Sequence, residues 1–308
     1  MKAMNLRDPR LSYIFMTVTV FLLAFEFIVA KTILSVVPTF TVIWMKYAIA
    51  FVALLCVKAA RRERWPFTVR DIPYFILCAL TGEIIYYYGS FSAMDYLPVA
   101  LLTVVLALCP VLSIILERLI YKKRIMLPAV IGICVSLFGI TLVAGVDIAM
   151  FSGGRLWGYL LAFIPVVSTN IYNFIVLKMV ARYSIFDISI YVIATTAIIT
   201  FPMAIGNLPE PQSINAYFIG AVMFLGLVVG ALGFFIYVNS LSVLGPTTTL
   251  MFSNFVPVVA VVFGWMILNE SILPLQLLGG AITLIGCGSA IWYNGKSLAG
   301  EKSSSLKK

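Results

Sequence analysis

The chain has 308 residues, of which 62% are apolar and only 11% charged, where a typical soluble domain carries about 25% charged residues. That balance excludes an ordinary soluble protein and places the chain in a lipid bilayer. The net charge of +9 does not mark a nucleic-acid partner, because the basic residues lie in short clusters between apolar segments rather than on one domain.

Breaking the chain at charges, prolines and turn residues predicts ten helices, at 11–34, 39–58, 72–93, 97–119, 126–146, 156–181, 186–206, 215–240, 246–268 and 272–293. Their continuously apolar character argues against a barrel, whose strands would alternate. Lys2, Arg7 and Arg10 before the first apolar run resemble a signal peptide, but no small-residue cleavage site follows, so a retained first helix is expected.

In the first helix, "FLLAFEFIVAK" places Glu26 inside an apolar run. A carboxylate at bilayer depth is costly unless paired, protonated or facing water, and it marks a pathway or a binding site. Counting 1.5 Å per residue, Glu26 lies about 10–12 Å inside one end of its helix, and Lys46 of the second helix about 10 Å inside the same end. An ion pair of Glu26 with Lys46, or with Lys31, would fix helix packing. The same pair lining a cavity could exchange a partner for a charged group of a solute.

In the third helix, "CALTGEIIYYYGS" carries Glu83 with no basic residue within a turn. It could sit neutral at rest and exchange a proton as a cavity changes access, with Glu26 as the second proton-coupling candidate. The bland alternative is a neutral acid bonded to a neighbouring helix. Tyr87, four residues on, shares its face, and Tyr86 and Tyr88 are expected to point elsewhere.

In "PVVSTNIYNFIV" of the sixth helix, Asn170 and Asn173 share a face near mid-depth. Asn254 in the ninth helix precedes Pro257, which frees a backbone carbonyl. These amides either line a cavity or join helices. In the eighth helix, Phe234 and Tyr237 could border the cavity, while Gly226, Gly230 and Gly233 form a stripe better read as close packing. Trp44, Trp65, Trp157 and Trp292 fall near helix ends as interfacial anchors. Cys56, Cys78, Cys109, Cys134 and Cys287 all lie in apolar segments without metal or redox spacing, and histidine is absent, so no metal and no cofactor are expected.

With the N-terminus inside, every basic residue except Lys31, Lys46 and Arg155 falls on the cytoplasmic side. Both termini are then cytoplasmic in a multi-pass inner (plasma) membrane protein. The connection "SVLGPT", 242–247, is the least marked junction.

Placing Leu97 over Leu244 without a gap matches Pro110 with Pro257, Gly132 with Gly279, and Gly139 with Gly286, alongside Val111 with Val258 and Leu137 with Leu284. The expected fold is all-α, ten transmembrane helices as two inverted five-helix repeats. The first repeat spans 1–146 and the second 147–295, with a disordered cytoplasmic tail at 296–308. Five helices per unit invert the second copy, as the basic "YKKR" after the fourth helix and the acidic "LNES" after the ninth agree. Inverted repeats place a site near the midplane at their interface.

The stretch "GPTTTLMFSNFVPVVAVVFGWMILNESILPLQLLGGAITLIGCGSAI", 245–291, resembles the C-terminal signature of EamA-type proteins in the drug/metabolite transporter superfamily. It has a small-residue helix start, a proline before a valine-rich run, a turn at Asn269–Glu270 where the family has glycine, and a glycine-containing last helix. "CPVLSIILERLIYKKRIMLPAVIGICVSLFGITLVA" resembles the same pattern more weakly, and Lys46–Tyr47 stands where the family often has arginine and an aromatic. The resemblance implies a ten-helix carrier, frequently an exporter of amino acids or other small metabolites.

The expected function is therefore a secondary transporter of amino acids or similar metabolites, with Glu26, Lys46, Glu83, Tyr87, Asn170, Asn173, Phe234, Tyr237 and Asn254 lining the site. Its partners would be a small-molecule solute and the bilayer, with a homodimer left open. Export of cationic drugs or amines is the alternative. A membrane-embedded enzyme or lipid-handling protein using Glu26 and Glu83 as an acid/base pair is disfavoured, because no nucleophile–base pair, metal set or HExxH-like arrangement is present, and the lack of a Walker-type phosphate loop argues against direct ATP coupling.

Overall fold

The computed structural model describes residues 8–62, 64–97, 99–122, 126–143, 156–268 and 273–305, and every regular element among them is helical. We number ten helices: α1 Pro9–Leu34, α2 Thr39–Arg61, α3 Ile72–Ala93, α4 in two halves (Val99–Leu106 and Cys109–Tyr121) and α5 Leu127–Val143. They continue with α6 Leu156–Met179, α7 Ile185–Ala204, α8 Ala216–Leu244, α9 in two halves (Pro246–Ser253 and Val256–Leu268) and α10 Pro274–Ser305. Local chemistry sets their starts. Asp8 caps α1 by accepting from the Arg10 N–H at 2.9 Å, ahead of Pro9, whose missing N–H costs nothing there. Ser184 Oγ and Asn215 Oδ1 cap α7 and α8 in the same way. Between α8 and α9, Gly245 sits at φ +80°, a conformation that glycine supplies without a Cβ penalty, and Pro246 then opens α9.

Eight of these helices are long and apolar enough to cross a membrane, and α5 is a shorter apolar one. Glu83 and the tyrosines at 86–88 dilute α3, which nevertheless runs about 33 Å without a break. One correction to the expected boundaries follows. Helix α10 continues past 293 to Ser305, so 296–305 is helical rather than disordered. The repeat boundary at 146/147, the basic loop at 123–125 and the turn at 269–272 lie outside the described residues, as do 306–308 and the N-terminal basic residues Lys2 and Arg7.

The repeat offset read from the sequence recurs in the backbone. Helix α4 breaks at Ala107–Leu108 and α9 breaks at the equivalent Asn254–Phe255, each just before its proline. A π-helical stretch at Ala79–Ile84 in α3 falls on the longer one at Phe224–Gly233 in α8. Packing follows the same relation: α3 lies on α6 as α8 lies on α1, while α2, α4 and α5 each pack on their own equivalents, α7, α9 and α10. Helices α5 and α10 touch backbone to backbone. A Cβ on Gly132 would stand 2.7 Å from the Gly286 carbonyl, and one on Gly139 would stand 2.7 Å from that of Gly279. Rising numbers on α5 meet falling numbers on α10, so these equivalent helices run antiparallel.

One end of the bundle is tied by charge. Lys58, expected only as a topology signal, is buried at the end of α2, where its ammonium donates to Asp187 of α7 and lies 4.4 Å from the Trp65 ring centre. Beside it Asp71 accepts from Arg182 at 2.8 Å and from the Tyr183 hydroxyl at 2.8 Å, joining the start of α3 to the end of α6. At the opposite end of the α2–α7 seam, the Thr41 hydroxyl donates to the Asn207 carbonyl at 3.2 Å. Replacing Lys58 by methionine leaves the buried Asp187 carboxylate, to which the Ser184 hydroxyl donates at 2.6 Å, without the Lys58 charge and should lower unfolding stability by about 3–5 kcal/mol, whereas the double change with Asp187→Leu should recover most of that loss. Thermal melts of the purified variants in detergent check both.

Candidate functional site

The site is built around two consecutive residues of α2. Gly226 and Gly230, in the π stretch of α8, let that helix press onto α2: a Cβ on Gly226 would lie 2.6 Å from Ile49 and 3.2 Å from the Lys46 carbonyl. The glycine stripe is thus a packing face, and it fixes the backbone that carries Lys46 and Tyr47. The Lys46 ammonium donates to Glu26 Oε1 at 2.5 Å and to the Tyr87 hydroxyl at 2.7 Å, and that hydroxyl donates to Glu26 Oε2 at 3.1 Å. The ammonium also lies 3.9 Å from the centre of the Tyr87 ring. All three side chains are buried, whereas Lys31, the other partner considered for Glu26, is exposed.

Tyr47 faces the other acid. Its hydroxyl donates to Glu83 Oε2, so one dipeptide of α2 holds Glu26 of α1 and Glu83 of α3. Glu83 sits in the π stretch of α3, a distortion that recurs at functional sites. Next to it, Gly82 lies under the ring of Tyr172 on α6, so close that a Cβ on the glycine would overlap that ring.

These groups wall a cavity of about 110 Å³ at the centre of the bundle. Its polar side carries Lys46, Tyr47, Glu83, Tyr86, Tyr87, Tyr172 and Tyr237. Its apolar side includes Leu22, Phe27, Val229, Phe234, Leu250 and Pro257, and Gly82 and Gly233 leave it room. Among the described residues the wall carries one cation and one acid, Lys46 and Glu83. Glu26 stands behind Lys46.

The structure thus brings Lys46, Glu83, Tyr87, Phe234 and Tyr237 to the cavity wall. Asn173 stands one shell back, its Oδ1 accepting from the Tyr237 hydroxyl at 2.9 Å. Asn170 and Asn254 join helices: the Asn170 amide donates to the Cys109 carbonyl at 3.2 Å, where the second half of α4 starts, and Asn254 donates to Ser136 Oγ at 3.2 Å. Tyr86, expected to point away, lines the cavity, because a residue three positions from Glu83 shares its face as well as one four positions away. Tyr88 does point away and stacks on Phe40 at 5.2 Å. Sequence reasoning missed the roles of Tyr47, Tyr86, Tyr172 and Gly82. The spacing of Tyr86 was available as a signal. Nothing in a single sequence marks the meeting of Tyr172 with Gly82.

The sequence profile of the EamA-like transporter family matches residues 10–145 and again 156–291. The chain belongs to the EamA-like transporter family. Within it, a "Probable terminal-alkyne amino-acid exporter" of Streptantibioticus cattleyicolor is 27% identical over 254 residues, covering 78% of this chain and 80% of that one. An "Uncharacterized transporter YdfC" of Bacillus subtilis is 24% identical over 244 residues, covering 77% of each chain. A transporter of Clostridium kluyveri is 24% identical over 305 residues, covering 96% of both. A solved crystal structure that is 18% identical superposes with a TM-score of 0.70, covering 92% of this chain and 98% of the other, which is a likeness of fold. Family and helices together make this EamA-like chain a multi-pass membrane protein of a transporter family.

Because Tyr172 has no slack against Gly82, Gly82→Ala should push the ring into the cavity and cost about 1–3 kcal/mol of stability. A thermal melt measures the cost, and loss of stabilisation by any solute that protects the wild type measures the lost space.

Proposed function

We propose that the protein is a secondary transporter that exports amino acids or similar small zwitterionic metabolites by alternating access. The observation that carries this reading is the cavity wall, where the Lys46 ammonium and the Glu83 carboxyl face one small space lined otherwise by tyrosines, threonine and serine side chains and apolar groups. A solute with one positive and one negative group complements such a wall. A purely cationic drug or amine meets Lys46 there and is the weaker fit. The relative named as an amino-acid exporter supports both the class of solute and the direction.

On this reading all ten helices cross the membrane as two inverted five-helix repeats, and the antiparallel contact of α5 with α10 supports the inversion. The cavity lies between the repeats, drawing on α1 to α4 from one and α6, α8 and α9 from the other. Rocking one repeat against the other would expose it to each side in turn. The end that carries Lys58, Arg61 and Arg182 faces the cytoplasm, as do both termini, in accord with the positive-inside rule. Glu83, held by Tyr47 and facing the cavity, is the coupling group: it exchanges its proton with the side to which the cavity opens.

The test is flux of radiolabelled amino acids in liposomes containing the purified protein, with and without an imposed pH gradient. Gradient-sensitive flux is expected for the wild type. Glu83→Gln, which keeps the hydrogen bond to Tyr47 through its amide oxygen, should fold normally and carry solute at a rate indifferent to the gradient. A variant that keeps wild-type gradient sensitivity removes Glu83 from the coupling role, and a wild type that moves no amino acid overturns the substrate class.

A further inference from the structure

Most buried polar groups around the cavity are already committed to one another. Lys46 is held by Glu26 and Tyr87, Glu83 by Tyr47, and Tyr237 by Asn173. One group on the wall, on α6, is not. The Tyr172 hydroxyl, on a residue 2% exposed that forms part of the cavity wall, has no hydrogen-bond partner among the described residues.

The scaffold gives no reason for this hydroxyl, because the position equivalent to Tyr172 in the first repeat is Phe25, which has none. A buried hydroxyl left without a partner costs about 1–3 kcal/mol, so one on the wall of a cavity is held in readiness for a group that is not part of the chain.

The hydroxyl is a donor, and Glu83 of α3 lines the same cavity, where it repels an anion and attracts a cation. We propose that the Tyr172 hydroxyl binds the carboxylate of the solute and that Glu83 takes its ammonium group. This assignment rests on the amino-acid transport reading and adds to Lys46, already paired with Glu26, a neutral donor from the second repeat for the solute's anionic end.

The test uses the full chain in detergent, with L-phenylalanine and L-alanine as probes and with phenethylamine and ethylamine as the same molecules without the carboxylate. Tyr172→Phe keeps the ring against Gly82 and removes only the hydroxyl. Because that hydroxyl is unpartnered, the melting temperature without solute should stay level or rise. Affinity for the amino acids should fall about tenfold, the worth of one such hydrogen bond, while affinity for the amines is unchanged. A lower melting temperature of Tyr172→Phe without solute shows the hydroxyl to be engaged within the protein and overturns the assignment. So does an equal effect, or none, on amino acids and amines, with the transport reading left standing. If the wild type binds the amines and neither amino acid, the transport reading itself fails in its substrate class, and the carboxylate site falls with it.

Discussion

An ammonium group at the centre of an apolar bundle must be paired, since leaving it unpaired costs several kcal/mol. Lys46 imposes that requirement here, and the arrangement of the first three helices answers it. Glu26 on α1 and Tyr87 on α3 converge on one nitrogen, so the three helices are held at a common depth. The next residue, Tyr47, turns to Glu83, which brings the second acid to the same cavity. The glycines of α8 complete the support, because only a helix without side chains on that face can approach α2 closely enough to brace it.

The second repeat keeps the scaffold and drops the charges. Breaks, π stretches and glycine contacts recur at equivalent positions, yet Glu26 is answered by Asn173, Lys46 by Ile193 and Glu83 by Gly230. The halves are thus alike in shape and unlike in chemistry. One half of the cavity is ionic and internally paired, while the other offers neutral hydrogen-bonding groups, of which the Tyr172 hydroxyl has no partner among the described residues. On the proposed reading such a division would let the site grip a solute without locking it, since neutral donors release a ligand more readily than a fixed ammonium does.

Much of this was legible in the sequence. Charges and prolines divide the chain into segments that all prove helical, and the proline–glycine spacing shared by the halves is the spacing at which the backbone repeats its breaks. Depth counting placed Glu26 level with Lys46, because rise per residue is nearly constant in a helix, and left Lys31 as the other possible partner. What escaped were features that depend on rotation about helix axes. The π stretches have no composition of their own, and Tyr172 meets Gly82 only because two helices lie face to face. Lys58 was misleading for a different reason: a lysine at a helix end reads as a topology signal whether it reaches water or, as here, turns inward to Asp187.

The two ends of the α2–α7 seam are closed by unequal means. A buried ion pair shuts the end at Lys58 and Asp187, while the positions equivalent to these residues are Ile205 and Phe40, and at that far end Thr41 supplies a neutral bond. On the proposed alternating-access reading, opening breaks an ion pair on one side and a neutral bond on the other, so the two open forms would not be equally populated. Each 1.4 kcal/mol or so of difference shifts occupancy about tenfold toward the favoured form. A solute arriving at the side that opens only in the scarcer form would bind with an apparent affinity weaker by the same factor, and loading from that side would become efficient only when the solute is abundant. The seam would thereby set a threshold concentration below which the carrier stays idle.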